Sequence, residues 1–173
     1  MAETRAKLKE LDPVWARITS EAEAAVADEP LLGGVIHSSV LHHTTLPRAL
    51  AYRISLKLAS GEMSEQILRE ICDEAHAADP ALAQAARADI AAVYDRDPAC
   101  HRFLQPLLFF KGFQALQCYR VAHWLWSEGR RDLAYFFQMR VSEVFGVDIH
   151  PDARLGQGIM IDHAHSIVIG ETA

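Results

Sequence analysis

Ile149, Leu155, Ile161 and Ile167 follow one another at a strict interval of six residues. A helix returns a side chain to the same face every three or four residues and a strand every two, so neither explains a six. In register, the segment reads Ile-His-Pro-Asp-Ala-Arg, Leu-Gly-Gln-Gly-Ile-Met, Ile-Asp-His-Ala-His-Ser and Ile-Val-Ile-Gly-Glu-Thr. This is the signature of a hexapeptide parallel β-helix, in which each unit forms one flat face and turns one aliphatic side chain into a narrow core. The small residues Gly156, Gly158, Ala164 and Gly170 fall where its turns need them. Three hexapeptides close a triangular coil of roughly 18 residues, and about three stacked units are needed before each buries its open face. From Ile149 to Ala173 there are 25 residues, little more than one coil, which leaves Ile167 and Ile169 on an uncovered apolar edge. The expectation is a fragment whose continuation supplies further hexapeptides and a cap.

Up to about Gly146 the signals are helical instead. Asp12-Pro13 and Asp79-Pro80 each pair a capping carboxylate with a proline at the first helical position, where its missing N–H costs nothing. Leu50, Ile54 and Leu58 recur at intervals of four, as do Ile67, Ile71 and Ala75, and Leu133, Phe137 and Val141 with Phe136 and Val144 beside them. Gly33-Gly34, Ser60-Gly61 and Ser127-Glu128-Gly129 punctuate the pattern into seven or eight short helices. Between Leu107 and Trp126, bulky groups including Phe109, Phe110, Phe113, Leu116, Trp124 and Trp126 occupy more than one face. Such a helix lies in the middle of a bundle or against another subunit.

With half its residues apolar and 23% charged, a chain of 173 residues buries a real core and is not disordered. Its 17 basic and 23 acidic residues give a net charge of −6, so no global field draws it to nucleic acid or to an anionic membrane surface. No apolar run reaches the roughly 20 residues of a membrane span. Met1 to Arg5 lack the apolar core of a signal peptide, which points to the cytoplasm. Cys72, Cys100 and Cys118 fit neither a disulfide framework nor a CxxC metal site and read as small buried thiols.

The chain resembles bacterial serine O-acetyltransferases, members of the hexapeptide-repeat acyltransferases. The resemblance rests on Val147-Asp148-Ile149-His150-Pro151 and on the stretch from Gly156 to Ala164. It extends to Arg96-Asp97-Pro98-Ala99, Pro106-Leu107-Leu108, Lys111 to Gln117, His123 to Trp126 and Gly129-Arg130-Arg131. It implies a mainly α fold: a helical assembly unit over residues 1–146, followed at 147–173 by the incomplete start of a left-handed parallel β-helix that carries catalysis. The implied reaction moves acetyl from acetyl-CoA, a co-substrate, to the hydroxyl of L-serine for cysteine biosynthesis, with no prosthetic group and no metal. Carried over by position, His163 is the general base, Asp148 its partner carboxylate, and Asp97 and Asp162 hold the substrate ammonium together with His163. The Arg-His pair for the substrate carboxylate and the coils for the pantetheine arm fall outside the chain, so the 173 residues alone are expected to be inactive. The resemblance further implies feedback inhibition by L-cysteine, trimers of β-helices paired into hexamers, and docking of a C-terminal tail of the full-length protein into O-acetylserine sulfhydrylase.

The chemistry suits these residues. A serine hydroxyl is too weak an acid to attack a thioester unaided, and a histidine base is typically worth about 10² to 10⁴ in rate. A carboxylate on its other ring nitrogen would fix the tautomer. Asp148 and His163 lie 15 residues apart, on neighbouring levels of a coil but not directly stacked. Other readings stand beside these: Asp97 before Pro98 as a helix N-cap, Asp148 and Asp162 as turn residues, His163 as a surface histidine. His37, His42, His43, His76 and His101 follow no ligand spacing and read as surface or helix-end groups. Two different functions compete: a zinc-dependent β-helix hydratase using His150, His163 and His165, and a non-catalytic oligomerisation module whose surface includes Phe109, Phe110, Phe113 and Trp126.

Overall fold

The computed structural model describes residues 12–173; the reading of Met1 to Arg5, and the first part of the 1–146 unit, lie outside them. Among the described residues, eight α-helices run in order: α1 Pro13–Asp28, α2 Gly33–Ile36, α3 Leu46–Leu58, α4 Glu65–Ala78, α5 Pro80–Arg96, α6 Leu104–Phe109, α7 Lys111–Ser127 and α8 Arg131–Phe145. A 3-10 turn (Pro30–Leu32) and a π-helical turn (His37–Leu41) flank α2, and two strands come after α8, β1 Val147–Ile149 and β2 Ile167–Ile169. The chain is mainly α and ends in the first coil of a parallel β-helix.

Both aspartate-proline pairs open helices. Asp12 accepts the Trp15 N–H at 3.1 Å and Asp79 accepts that of Ala81 at 2.9 Å, each satisfying a donor that a helix start leaves orphaned. Asp12 is also gripped by Arg87 of α5. Burial works to raise the Asp12 carboxyl, but Arg87 and the Trp15 N–H outweigh it and hold it below its ordinary value.

Two apolar clusters form the interior. One gathers Trp15, Ile18, Ile36, Val40, Leu46, Leu50, Ile90, Leu104, Leu107 and Phe113 from α1, α2, the π-turn and α3, α5, α6 and α7. The other joins Ile54, Leu58, Leu68, Ile71, Leu116, Leu125, Phe137 and Val141 to Val147, Ile149, Ala153 and Ala164 of the coil. Helix α7 serves both, through Phe113 on one side and Leu116 and Leu125 on the other, which is why its apolar residues follow no single stripe. The expected face of α4 holds at Ile71 and Ala75, which are buried with Leu68 and Cys72, while Ile67 in the first turn stands 49% exposed. Val144 of α8 likewise faces outward, its place on the core face taken by Phe145. All three cysteines are free and buried, and burial pushes each thiol up.

Gly146 ends α8 in the left-handed conformation (φ 69°), which a residue with a side chain adopts only at a cost. Its carbonyl accepts the N–H of Ile167 at 3.1 Å, so the stop of the helix also starts the sheet. β1 and β2 are parallel with Val147 opposite Ile167 and Ile149 opposite Ile169. The offset is twenty residues, two more than three hexapeptides, so Ile149 stacks under Ile169 and not Ile167. The extra length lies in the intervening segment, whose backbone is held by helices instead of by a preceding coil. His123 bonds the Pro151 carbonyl at 2.7 Å, and the Tyr119 hydroxyl donates to Ala153 while accepting the Leu155 N–H. Arg120 donates to Gly156 at 2.9 Å, Arg96 to Gly158 at 2.8 Å, and Asp89 accepts the Ile159 N–H at 2.9 Å. At the start of α7 the coil comes so close that a Cβ on Gly112 would sit 2.0 Å from the Ile161 carbonyl oxygen.

Among the histidines read as surface or helix-end groups, His37, His42 and His101 are exposed, while His43 is half-buried with its Nε2 at 2.9 Å from the Ser38 carbonyl. His76 does sit at a helix end, in the last turn of α4, but is not a surface group: both ring nitrogens are buried without a hydrogen-bond partner. Burial lowers its pKa to about 4 from the usual 6.5. Between those values the unfolded chain binds the extra proton, so stability falls as the pH drops from about 6.5 toward about 4. Melting temperatures near pH 5 and near pH 7.5 should differ less in His76→Leu than in the parent; an unchanged difference refutes this assignment. Alanine usually stabilises a helix relative to glycine, but Gly112→Ala should destabilise by about 1–3 kcal/mol because backbone, not a flexible side chain, must move. Denaturant titration checks the sign.

Candidate active site

Asp97 stands where α5 stops. It is the C-terminal cap of that helix, and its carboxylate accepts the Ala99 N–H at 2.8 Å in a turn that carries the chain past Pro98. No α-helix begins at Pro98, so the N-cap reading suggested by Asp12 and Asp79 does not apply here. Asp97 leads instead into a tight turn, with the Cys100 N–H on the Asp97 carbonyl at 3.0 Å.

A cleft of about 250 Å³ opens beside it, walled by three segments remote in sequence. The end of α5 contributes Val93, Asp97 and Ala99; the junction of α6 and α7 contributes Phe109 to Phe113; the coil contributes Met160 to His163. Asp97, Asp162 and His163 are therefore brought to one cavity, with Phe109, Phe110 and Met160 as an apolar wall. Phe109 is 52% exposed, Phe110 is half-buried and Phe113 is buried, so of the aromatic groups read as an assembly surface only Phe109 stands well out of the fold. Trp126 packs edge-on against Tyr135 and His150.

The coil end of the cleft is strained. His163, Ala164 and Ser166 all have positive φ (52°, 54° and 53°), a region that costs a non-glycine residue free energy and recurs at functional sites. Ala164 is buried and anchors this run in the core, which turns its neighbours His163 and His165 outward. His163 is 85% exposed in its side chain, with Nε2 3.7 Å from an Asp162 carboxylate oxygen. His165 meets Lys111 across the rim, Nδ1 to Nζ at 3.4 Å.

Asp148 is placed apart from this cavity. It is not a turn residue but the middle of β1, opposite Val168, and its carboxylate accepts a hydrogen bond from the Gln138 amide at 2.6 Å. No hydrogen bond or ion pair joins His163 to Asp148; the histidine's carboxylate neighbour is Asp162. The three histidines considered as zinc ligands go different ways. His150 packs against Trp126 and Tyr135 and accepts the Asp152 N–H at 3.2 Å, His163 faces the cleft and His165 faces Lys111. Among the described residues, no group of three histidine, cysteine, aspartate or glutamate side chains is arranged to hold a metal ion.

Sequence reasoning missed Gln138, Lys111, Gly112 and Arg96 as parts of this neighbourhood. Lys111, Gly112 and Arg96 lie in stretches the resemblance singled out, whereas Gln138 is one polar residue on a helix and carried no signal. Chemically, two carboxylates facing one cavity favour a cationic group over a neutral alcohol, and an imidazole beside them offers a ring nitrogen as a proton acceptor.

Residues 14–118 match the family described as serine acetyltransferase, N-terminal. The serine acetyltransferase of Salmonella typhimurium is 51% identical over 165 residues, which are 95% of this chain and 60% of that protein. The crystal structure of serine acetyltransferase from Brucella abortus in complex with coenzyme A is 45% identical with a TM-score of 0.91, the match covering 95% of this chain and 66% of that one. That of Neisseria gonorrhoeae in complex with serine is 50% identical with a TM-score of 0.90, covering 92% and 66%. The chain thus spans about 60% of the length of the curated relatives it matches. Sequence, helical order and the coil after the helices agree over nearly all of its residues, and the chain belongs to the serine acetyltransferase family.

Proposed function

We propose that the chain carries the amino-acid side of a serine O-acetyltransferase site, acting on L-serine with acetyl-CoA as co-substrate. The observation that supports this most directly is the meeting of Asp97, Asp162 and His163 at one cleft although sixty-five residues separate the two aspartates. Asp97 and Asp162 would hold the substrate ammonium, leaving its hydroxyl toward His163. His163 would take the hydroxyl proton as the oxygen attacks the thioester carbonyl. The tetrahedral adduct then collapses, the carbon–sulfur bond breaks, and the imidazolium returns its proton to the departing thiolate.

Asp148 would act as the orienting carboxylate once the exposed His163 side chain swings inward, since the Gln138 amide occupies only one of its oxygens. L-Cysteine, differing from serine at one side-chain atom, would compete for the same groups. We infer a division near Gly146 between a helical assembly unit and a catalytic coil, trimers through the coil paired into hexamers through the helices, and a cytoplasmic enzyme. Docking to O-acetylserine sulfhydrylase would belong to a longer form. Among the described residues, no helix is long and apolar enough to cross a membrane.

The 173-residue chain alone should release no thiol from acetyl-CoA in the presence of serine, whereas a form continuing through further hexapeptide coils should do so. Near-normal turnover by the shorter chain would show that the co-substrate site is misplaced. In the longer form, His163→Ala should lower kcat by about two orders of magnitude or more. A loss smaller than about threefold would remove His163 from the base position.

A further inference from the structure

Arg96 and Asp97 are neighbours that serve opposite sides of one gap. Asp97 faces the cleft, and Arg96 reaches over to the coil that forms the facing wall, Nη1 donating to the Gly158 carbonyl at 2.8 Å. Among the described residues Arg96 makes no ion pair, so this backbone carbonyl is the one group its charge is spent on. Gly158 is itself in the left-handed conformation (φ 73°), and the next residue, Ile159, gives its N–H to Asp89. Asp162 and His163 come within five residues of Gly158. The coil is thus pinned to α5 twice just upstream of the cleft, once from the buried Asp89 and once from the exposed Arg96.

These two ties are not equivalent. Asp89 is fully buried and belongs to the network that holds the helices together, so its loss would disturb the whole molecule. Arg96 is exposed, where a single hydrogen bond adds little to global stability. A binding site is far more sensitive, since a misplacement of about 1 Å can cost as much as about 10²-fold. We propose that Arg96 is a positioning residue that sets the separation of Asp97 from Asp162, and so the fit of the cavity to the substrate ammonium group. The inference rests on the proposed serine site for the identity of the ligand, but not for the tie itself.

Two measurements test it separately. In the 173-residue chain, Arg96→Met should speed amide hydrogen exchange at the hydrogen-bonded Ile159, Ala164 and Ile167 by about tenfold while leaving α1 to α4 unchanged. In the longer form the same substitution should raise KM for serine by about tenfold, with kcat and KM for acetyl-CoA within about twofold, and Arg96→Lys should restore part of the loss. Unchanged exchange at Ile159, Ala164 and Ile167, acceleration spread evenly through the chain, or an unchanged KM for serine overturns the proposal. If the unsubstituted longer form transfers no acetyl group, the serine reading falls, and the exchange measurement still decides whether Arg96 holds the coil.

Discussion

The structure depends on one buried carboxylate. Asp89 of α5 is fully buried and receives two nitrogens of Arg120, the side-chain amide of Gln117 and the backbone N–H of Ile159, all within 3.0 Å. Two helices and the coil therefore converge on a single charge. A buried ion pair is weak evidence of net stability, because desolvation offsets its attraction. Removing one member is another matter: it leaves an uncompensated charge at a cost of about 3–5 kcal/mol. Loss of Asp89 would also strand the Ile159 N–H of the coil.

The need for such a group arises from where the coil begins. Inner coils of a β-helix satisfy their backbone by stacking on the coil before, and a first coil has none. Helix α7 supplies the substitute from Tyr119, Arg120 and His123, with Asp89 and Arg96 added from α5. Buried Gln114, Gln117 and Arg120, spaced by three, run along the same helix, and Gln114 bonds the Leu107 carbonyl at 2.9 Å. So α7 is apolar on several faces and still carries a polar seam, a combination in which no single hydrophobic stripe can be found.

Features governed by short-range chemistry were legible in the sequence. The Asp12 and Asp79 caps act over two or three residues, and both open helices as read. The change of period after Gly146 located the first strand and the turn to the coil. The family resemblance, and through it the grouping of Asp97 and Asp162 with His163, came from motif residues, and the cleft does bring those three together. Long-range packing was not legible. Ile67 matched the helical period yet faces outward, because the tertiary contact selects Leu68 instead. The coil is twenty residues around and not eighteen, since its register is set by side chains some thirty to seventy positions upstream. Asp97 looked like Asp12 and Asp79 before their prolines, but sits at the end of a helix because α5 has already run its length.

The side-chain ties to residues 151–159 also give the β-helix a direction of growth. Stacked repeats in general can nucleate anywhere along the array, since every interface resembles the next. In this molecule the coil draws its backbone partners from α5 and α7, side chains that a neighbouring coil would not supply. The helices therefore act as a template, fixing the register of the coil from its N-terminal side and leaving its other edge as the one onto which a repeat could stack.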